Sequence, residues 1–130
     1  MRRTQLTAYL PNKVGALAAA AKALAAANVN IEGISVVETA DTGEVRMLVS
    51  DAVKAEKALA RSGIGYSKQA VEVVLLEDKP GSLAEFAVKL AKAGVDIHYV
   101  YGSTSDGDEG CSFRLVVSAS DLNKVKRVAK

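Results

Sequence analysis

The chain has 130 residues, of which 49% are hydrophobic and 25% are charged, a balance typical of a globular protein with a hydrophobic core. Its longest uninterrupted apolar run, "VGALAAAA", is far shorter than the roughly 20 residues of a membrane-spanning helix. The 17 basic and 15 acidic residues are mixed along the chain and give a formal charge of +2, so neither a nucleic acid nor a membrane is indicated as a partner.

The start of the chain and its single cysteine indicate a cytoplasmic protein. Pro11, Asn12 and Lys13 interrupt the segment after the basic start "MRR" before any apolar stretch forms, so we expect no secretory signal. The single cysteine, Cys111, permits no intramolecular disulfide, which fits a reducing compartment, and we expect its side chain to be a small buried hydrophobe.

The first half of the chain predicts six elements. The stretch "RRTQLTAYL" is rich in β-forming residues and predicts a strand, which leads through a loop with Gly15 into a helix from Val14 to Ala27. Asn28 tolerates positive φ and is expected to end that helix. Two strands joined by the turn "TADTG", a second helix capped by Asp51 and a short closing strand then follow as "NIEGISVVE", "EVRMLVS", "DAVKAEKALARSG" and "IGYSK".

The second half repeats this order. "QAVEVVLL" predicts a strand, a helix runs from Gly81 to Lys92, and Gly94 is expected to end it. Asp121 is expected to cap the last helix. The remaining elements are the strands "DIHYVYGS" and "SFRLVVS", joined by "TSDGDEG", and the final helix "DLNKVKRVAK".

The two halves align without a gap from "LPNKVGALAAAAKALAAANVNI" to "LEDKPGSLAEFAVKLAKAGVDI", which places Gly15 and Gly81 66 residues apart. Each copy reads β-α-β-β-α-β, the order of ferredoxin-like folds. We therefore predict an α+β protein with two tandem modules, residues 1–70 and 71–130, each an antiparallel sheet with helices on one face. The second copy lacks a closing strand, so either another element covers that sheet edge or the sequence is part of a longer chain.

The second copy's "LLEDKPGSLAEFAVKLAKAGVDI" resembles the signature of ACT domains, which are regulatory modules that bind amino acids: a strand, D-x-P-G-x-L, a helix, and N-I at the start of the next strand. The first copy keeps Gly15, Leu17, Asn30 and Ile31 but has Val14 in place of the proline. The stretch "DIHYVYGS" is similar to the second strand of small stand-alone tandem ACT proteins. The resemblance covers the whole chain and implies a non-enzymatic sensor of a free amino acid, bound at the interface between modules.

Elementary chemistry supports this mode of binding at the loop before the helix. Pro80 fixes φ near the helix start, Gly81 lets the ligand approach closely, and the first backbone N–H groups of a helix have no partner inside it. A carboxylate that docks there contributes about 0.3–1 kcal/mol. If φ at Gly81 is negative, a valine at that position blocks the ligand while leaving the fold intact.

Acceptors for the ligand's ammonium group are expected at Asp78 and at the start of the second strand, in Asp96 or Asn30. If the loop of one module faces the strand start of another, the second loop provides the better half of a mixed site, because it retains both the acid and the proline. If no ligand binds, Asp78 is a turn residue and Asn30 is a strand-start residue whose hydrogen bonds are made within the chain. The candidate ligand-binding residues are Asn12, Gly15, Asn30, Ile31, Asp78, Gly81, Ser82, Leu83, Asp96 and Ile97.

Other functions lack the residues that they need. The one histidine, His98, and the one cysteine lie in different strands, so we expect no enzyme. The strands do not carry the aromatic pattern of RNA-binding ferredoxin-like domains, and the chain has no C-x-x-C loop for a metal, so we expect no cofactor. Tyr99 and Tyr101 share one face of their strand, either as a stacking platform or as part of a packed core or interface. The alternative function is a protein–protein interaction or oligomerisation module without a ligand.

The helix from Val14 to Ala27 has Lys22 as its only charge and therefore almost no polar face. A module of about 65 residues buries only roughly 60% of its unfolded surface and is marginally stable alone. The strand "VEVVLL" is apolar on both faces. We therefore expect the two copies to pack together and the chain to form a homo-oligomer, most simply a dimer.

Overall fold

In a computed structural model, described for residues 1–105 and 112–129, the chain has α+β architecture with two ferredoxin-like modules in tandem, as the sequence predicts. The strands are β1 (Arg2–Pro11), β2 (Ile31–Glu38), β3 (Thr42–Val49), β4 (Gly65–Glu77), β5 (Ile97–Ser105) and β6 (Ser112–Ala119). The helices are α1 (Ala16–Ala26), α2 (Ala52–Arg61), α3 (Ser82–Lys92) and α4 (Leu122–Val128). Cys111 and most of the "TSDGDEG" turn lie outside the described residues.

The chain divides into two compact units. The first unit is Thr4–Gln69, and the second combines Met1–Arg3 with Ala70–Lys130. Because the divisions fall inside β1 and β4, each of these two strands contributes residues to both units. No helix among the described residues has the length and apolar character that a membrane crossing requires.

The first unit is built around β3, which pairs antiparallel with β1 and with β2. Met47 on β3 lies opposite both Leu6 and Ile34. Alternate residues of β1 and β3 therefore point to one face, where they pack with α1 and α2. The buried core of this unit consists of Leu6, Ala8, Leu10, Ala20, Leu24, Val29, Val45, Met47, Val49, Ala55, Ala58 and Leu59.

The second unit has the same arrangement around β6, which pairs antiparallel with β4 and β5. Leu115 on β6 lies opposite Val74, and Val117 lies opposite Val100. The core again fills the space between one sheet face and the helices. Its buried residues are Val74, Phe86, Leu90, Val95, Leu115, Val117 and Val125.

The strand β4 differs from the sequence prediction, which placed two strands, "IGYSK" and "QAVEVVLL", one after the other. The structure has a single strand of 13 residues through this region. The junction at Lys68, Gln69 and Ala70 contains no glycine, proline or other turn-forming residue, so nothing in the local sequence ends the extended conformation. The closing strand of the first copy and the opening strand of the second are therefore continuous.

The capping residues agree with the prediction, but α1 begins at Ala16 and not at Val14, because Gly15 takes the left-handed conformation. The side chains of Asp51 and Asp121 each accept a hydrogen bond from the backbone N–H three residues later, at 3.1 Å. Asn28 and Gly94, which follow α1 and α3, have φ of 59° and 74°. Local capping chemistry thus sets where these elements begin and end.

The helix α1 buries only Ala20 and Leu24 among its 11 residues. Its outer alanines and Lys22 are exposed. Small side chains therefore cover most of its circumference, as the sequence indicates, and the described residues leave its outer face in solvent.

The sheet edge without a closing strand in the second copy is partly covered by Met1, the residue before β1. The N–H group of Met1 donates to the carbonyl of Val73 at 2.6 Å, and the N–H of Val73 donates to the carbonyl of Met1 at 2.9 Å. This mutual exchange is the pattern of an antiparallel pair. Met1 thus covers the part of this edge at Val73.

The same edge carries a buried carboxylate, Glu72, whose side chain is only 1% exposed. The Met1 ammonium lies 2.8 Å from one carboxylate oxygen and the Arg2 guanidinium 2.9 Å from the other, and Arg2 also donates to Asn123 on α4 at 2.9 Å. Burial raises the pKa of Glu72, but the hydrogen bonds and charges of Met1 and Arg2 outweigh it, so the pKa lies below its usual value.

We predict that Glu72→Gln lowers the free energy of unfolding by about 1–3 kcal/mol near neutral pH, because it removes a buried charged acceptor. A carboxylate with a lowered folded-state pKa stabilises above its unfolded pKa, about 4.3, and this stability is lost as pH falls through the folded value. The difference in the free energy of unfolding between wild type and variant, measured by urea denaturation, should therefore become smaller at acidic pH. Glu77→Gln, at a side chain 77% exposed, is the control and should change little. An equal loss for Glu72→Gln at both pH values would contradict this account.

Candidate functional site

The loop between β1 and α1 and the loop between β4 and α3 follow the same backbone path. In the first loop the N–H of Lys13 donates to the carbonyl of Pro11 at 2.9 Å. In the second loop the N–H of Lys79 donates to the carbonyl of Glu77 at 3.0 Å. The chain thus makes the same tight turn at the end of each strand, although the loop sequences "PNKVG" and "EDKPG" differ.

Each turn passes directly into its helix through a glycine in the left-handed conformation. Gly15 has φ 88° and ψ −5°, and Gly81 has φ 93° and ψ −13°. No heavy atom lies within 4 Å of the point where a Cβ would stand at either position, leaving aside the neighbouring residues. Glycine is therefore favoured for its conformation, not for space. The condition of a negative φ at Gly81 is not met, so valine there would strain the fold and is unsuitable as a test of binding.

The glycine caps leave backbone donors at the start of α3. The N–H of Ser82 donates to the carbonyl of Lys79 at 3.3 Å, and the first bond within the helix runs from the N–H of Glu85 to Gly81. Gly81 has no side chain to cap the helix. The N–H groups of Leu83 and Ala84 are thus left without a partner among the described residues.

The start of α1 has the same pattern of backbone donors. The N–H of Ala16 donates to Lys13, and the N–H of Ala19 donates to Gly15. The N–H groups of Leu17 and Ala18 lie between them and have no partner in the described part of the chain. Both helices therefore present two backbone donors, together with the partial positive charge of a helix N-terminus.

The surroundings of the second loop are charged. Lys79 forms an ion pair with Glu77 at 3.0 Å, and Lys89 forms one with Glu85 at 3.4 Å. The hydrogen bond to Glu77 raises the pKa of Lys79. Asp78 is exposed and forms no ion pair among the described residues. Its carboxylate is therefore available to a cationic group of a ligand.

A cavity of about 240 Å³ adjoins the second loop. It is lined by Ser82 and Lys79, and by Phe86 of the core. Its other lining residues are Leu75, Leu76, Glu77, Glu85, Lys89, Val128 and Ala129. A ligand at this loop can thus contact both polar and apolar groups.

The first loop has different chemistry on the same backbone. The side-chain amide of Asn12 donates to the carbonyl of Thr39 at 3.1 Å, so Asn12 ties the loop to the turn between β2 and β3. Among the described residues, the first turn of α1 contains no acidic side chain. Val14 is fully exposed where the second loop has Pro80. This loop has backbone donors but no carboxylate for an ammonium group.

The strand-start residues are held by two serines that the sequence analysis missed. The N–H of Asn30 donates to the hydroxyl of Ser50 at 2.9 Å, and the N–H of Ser50 donates back to the carbonyl of Asn30 at 2.9 Å. Asp96 and Ser120 form the same pair of bonds, at 3.0 and 2.9 Å. The repeated "VSD" and "ASD" before α2 and α4 was the available signal. These bonds use backbone groups and leave the side chains of Asn30 and Asp96 exposed.

Within one unit, the loop and the strand start do not come together. A helix of 11 residues, about 16 Å long, separates Gly81 from Asp96, and an equal helix separates Gly15 from Asn30. Ile31 and Ile97 begin β2 and β5 and pair with Val49 and Ala119. Asp78, Gly81, Ser82 and Leu83 are neighbours at one helix end. Asp96 and Ile97 are neighbours beyond the other.

The tyrosines of β5 lie on one face of the strand, as expected. The rings of Tyr99 and Tyr101 stack with centroids 6.4 Å apart and planes inclined by 12°. His98 between them is exposed. Both tyrosines are half-buried.

The chain matches a family model described as "ACT domain pair" over residues 1–129. Among solved structures, protein BT0572 from Bacteroides thetaiotaomicron is 31% identical, with a TM-score of 0.90, and the match covers 98% of this chain and 86% of that one. The ligand-free regulatory subunit of aspartate kinase from Thermus thermophilus is 17% identical, with a TM-score of 0.70, over 96% of this chain and 89% of the other.

The regulatory subunit of aspartate kinase from Thermus flavus is similar at 18% identity, with a TM-score of 0.65, over 97% of this chain and 89% of that one. At these identities the two aspartate kinase subunits show a shared fold. No curated protein matches the chain.

We predict that Gly81→Ala lowers the free energy of unfolding by about 1–2 kcal/mol, because an L-residue is strained in the left-handed region. Gly81→Asn should lose less, since asparagine tolerates that conformation. Gly65→Ala, at a glycine with ordinary φ and open space around it, is the matched control. Chemical denaturation measures all three. If Gly81→Ala and Gly65→Ala had the same small effect, the positive φ at Gly81 would not matter to the fold.

Proposed function

The chain belongs to the family of ACT domain pairs, and from this premise we propose that it is a non-enzymatic regulatory sensor that binds a free α-amino acid at the second loop. The observation that carries the proposal is that the N–H groups of Leu83 and Ala84 have no partner among the described residues and lie one short loop away from the exposed carboxylate of Asp78. An α-amino acid has one group for each, a carboxylate for the donors and an ammonium for the acid.

The carboxylate end of the ligand explains why the glycine cap is useful. A serine, threonine or aspartate at the cap would satisfy one of the free N–H groups itself, as Asp51 and Asp121 do for α2 and α4. Gly81 leaves those donors for a ligand. The helices α2 and α4 are thus capped by a side chain, whereas α1 and α3 have no side-chain cap.

The ammonium end distinguishes the two loops. Asp78 offers a charged acceptor, whereas Asn12 uses its amide to hold Thr39. We therefore assign the primary amino-acid site to the second loop. The first loop, with donors and no acid, suits a carboxylate without an amine. Asn30, Ile31, Asp96 and Ile97 remain candidates for completing a site from the strand start of another module.

Self-association is part of the proposal. Ile34 and Val36 on β2 are 45% and 53% exposed, and the outer face of α1 is lined with alanine. Covering such surfaces is favourable, and a dimer is the simplest way to do it. We further propose that the protein acts in the cytoplasm. If no amino acid binds, these apolar surfaces support the alternative of an oligomerisation module without a ligand.

Thermal unfolding against a panel of free amino acids identifies the ligand, because a ligand at 100 times its Kd stabilises by about 2.7 kcal/mol. With that ligand, we predict that Asp78→Ala weakens binding about ten- to a hundredfold in calorimetry, since a charge-assisted hydrogen bond is lost. Asn12→Ala is the matched control and should change affinity little. The decarboxylated amine should bind far more weakly than the amino acid. If Asn12→Ala abolished binding and Asp78→Ala did not, the first loop would be the receptor.

A second variant separates binding from stability. Ser82→Asp places a negative charge at the first residue of α3, where it should stabilise the helix by about 0.3–1 kcal/mol and repel the ligand's carboxylate. We predict a protein of equal or higher unfolding temperature that binds the amino acid at least tenfold more weakly. Ala16→Asp, the equivalent change at α1, should stabilise without loss of binding. Unchanged affinity in Ser82→Asp would show that the carboxylate does not dock at α3.

A further inference from the structure

In the first unit, a row of polar side chains joins β1 to the neighbouring strand β4. On β1 these are Gln5, Thr7 and Tyr9, which alternate with the core residues of that strand and therefore lie on the sheet face opposite the helices. On β4 they are Ser67 and Gln69. All five belong to the first unit, and we call them the polar ladder.

Gln69 is the central member of the polar ladder. Its side-chain carbonyl accepts a hydrogen bond from the Thr7 hydroxyl at 2.7 Å and another from the Gln5 side-chain amide at 3.3 Å. Its own side-chain amide donates to the Ser67 hydroxyl at 2.7 Å, and that hydroxyl lies 2.7 Å from the hydroxyl of Tyr9. One side chain of β4 is therefore bonded to two side chains of β1 and also holds its neighbour on β4.

The β1 half of the polar ladder is buried. Gln5 is 0% exposed and Thr7 is 4% exposed. A buried hydroxyl or amide that loses its hydrogen-bond partner lowers the population of the conformation in which this happens by a factor of about 5 to 150. Conformations that separate Thr7 from Gln69 are therefore strongly disfavoured.

Apolar packing gives little information about where this part of β4 pairs with β1. Ile64 and Tyr66 pack partly buried against the core, but Lys68 and Ala70, which follow on the same face as Tyr66, are exposed. The register of a strand is strongly fixed where alternate apolar side chains are buried, and weakly fixed in polar strands. The segment Gly65–Gln69 belongs to the second kind.

The polar ladder distinguishes the observed register from the neighbouring ones. A shift of one residue would turn Tyr66 to the opposite face. A shift of two residues keeps the faces but brings either Val71 or Ser67 to the place of Gln69. Valine has no acceptor for the Thr7 hydroxyl, and serine does not extend as far as glutamine. Either shift therefore separates the buried Thr7 hydroxyl from its acceptor.

We propose that the polar ladder is the device that fixes the register of β4 on β1, with Gln69 as the residue on which it depends. Buried polar networks can specify one conformation without adding to the free energy of unfolding. Because β4 continues without interruption beyond Gln69 into the second unit, the ladder also fixes the residue at which the chain leaves the first unit. This inference is independent of the amino-acid site.

The double variant Thr7→Val, Gln69→Leu tests the proposal, because it removes the central hydrogen bond without leaving either of its two partners unpaired. We expect the variant to stay folded, with an unfolding temperature close to that of wild type. We also expect β1 and β4 to populate a second register. NMR spectra of the labelled full chain should then show a second set of amide signals for residues 5–9 and 65–69, with a minor population at least tenfold above that of wild type.

Two further variants separate register from stability. Gln69→Leu alone leaves the buried Thr7 hydroxyl without its Gln69 acceptor, so its unfolding temperature should fall further than that of the double variant. Tyr66→Phe is the matched control, since it removes the hydrogen bond from Tyr66 to Glu56 and leaves the polar ladder intact. It should keep a single set of signals. Contacts between backbone protons of β1 and β4, measured in the same spectra, assign each register.

Two results would overturn the proposal. The first is a folded double variant with one set of signals and the wild-type contacts between the strands, which would show that apolar packing fixes the register. The second is a double variant that does not fold, which would show that the polar ladder supplies stability and not register.

Discussion

The backbone conformation of the glycine before α1 and α3 is the constraint on which both candidate loops depend. Each loop must lead from the end of a strand into a helix within a few residues, and the left-handed φ of Gly15 and Gly81 completes that turn. The same residue cannot cap the helix with a side chain. The chain conformation and the free donors of Leu83 and Ala84 therefore have one cause, and a substitution at Gly81 alters both.

The two copies show how one backbone can serve different chemistry. The same backbone hydrogen bond forms the turn in both loops, with a length of 2.9 Å in the first and 3.0 Å in the second. Asn12 is engaged with Thr39, whereas Asp78 keeps its carboxylate exposed. At the opening strands the copies differ again, since Gly65–Gln69 belongs to the first unit, whereas in the second unit Met1 covers the edge only at Val73. The two copies therefore share a fold, while their loops differ in which polar side chain stays exposed.

Features encoded by neighbouring residues were predictable from the sequence. The caps at Asp51 and Asp121 and the positive φ of Asn28 each depend on a few adjacent positions, and the structure confirms them. The pairing of Met1 with Val73 could not be predicted, because it joins residues 72 positions apart and no periodic pattern encodes it. Glu72 illustrates the same limit, since a charged residue in an apolar strand reads as exposed until its partners are known.

The candidate site was predictable in its parts but not in its assembly. The loop "EDKPGSL" identifies the donors and the acid, since all are local to one turn. Asp96 was expected as an acceptor alongside the loop, yet within one unit α3 holds the two apart by its own length. The serines that hold Asn30 and Asp96 act through backbone bonds across strands, which side-chain chemistry does not reveal.

The central claim is that the first turn of α3 receives the carboxylate of a free amino acid. A titration of isotopically labelled protein with the amino acid that stabilises it, followed through the backbone amide signals, tests this directly. The account predicts that the largest shifts, in the direction of stronger hydrogen bonding, occur at the N–H groups of Leu83 and Ala84, with smaller changes at Leu17 and Ala18. Saturable shifts that spare Leu83 and Ala84 would contradict it.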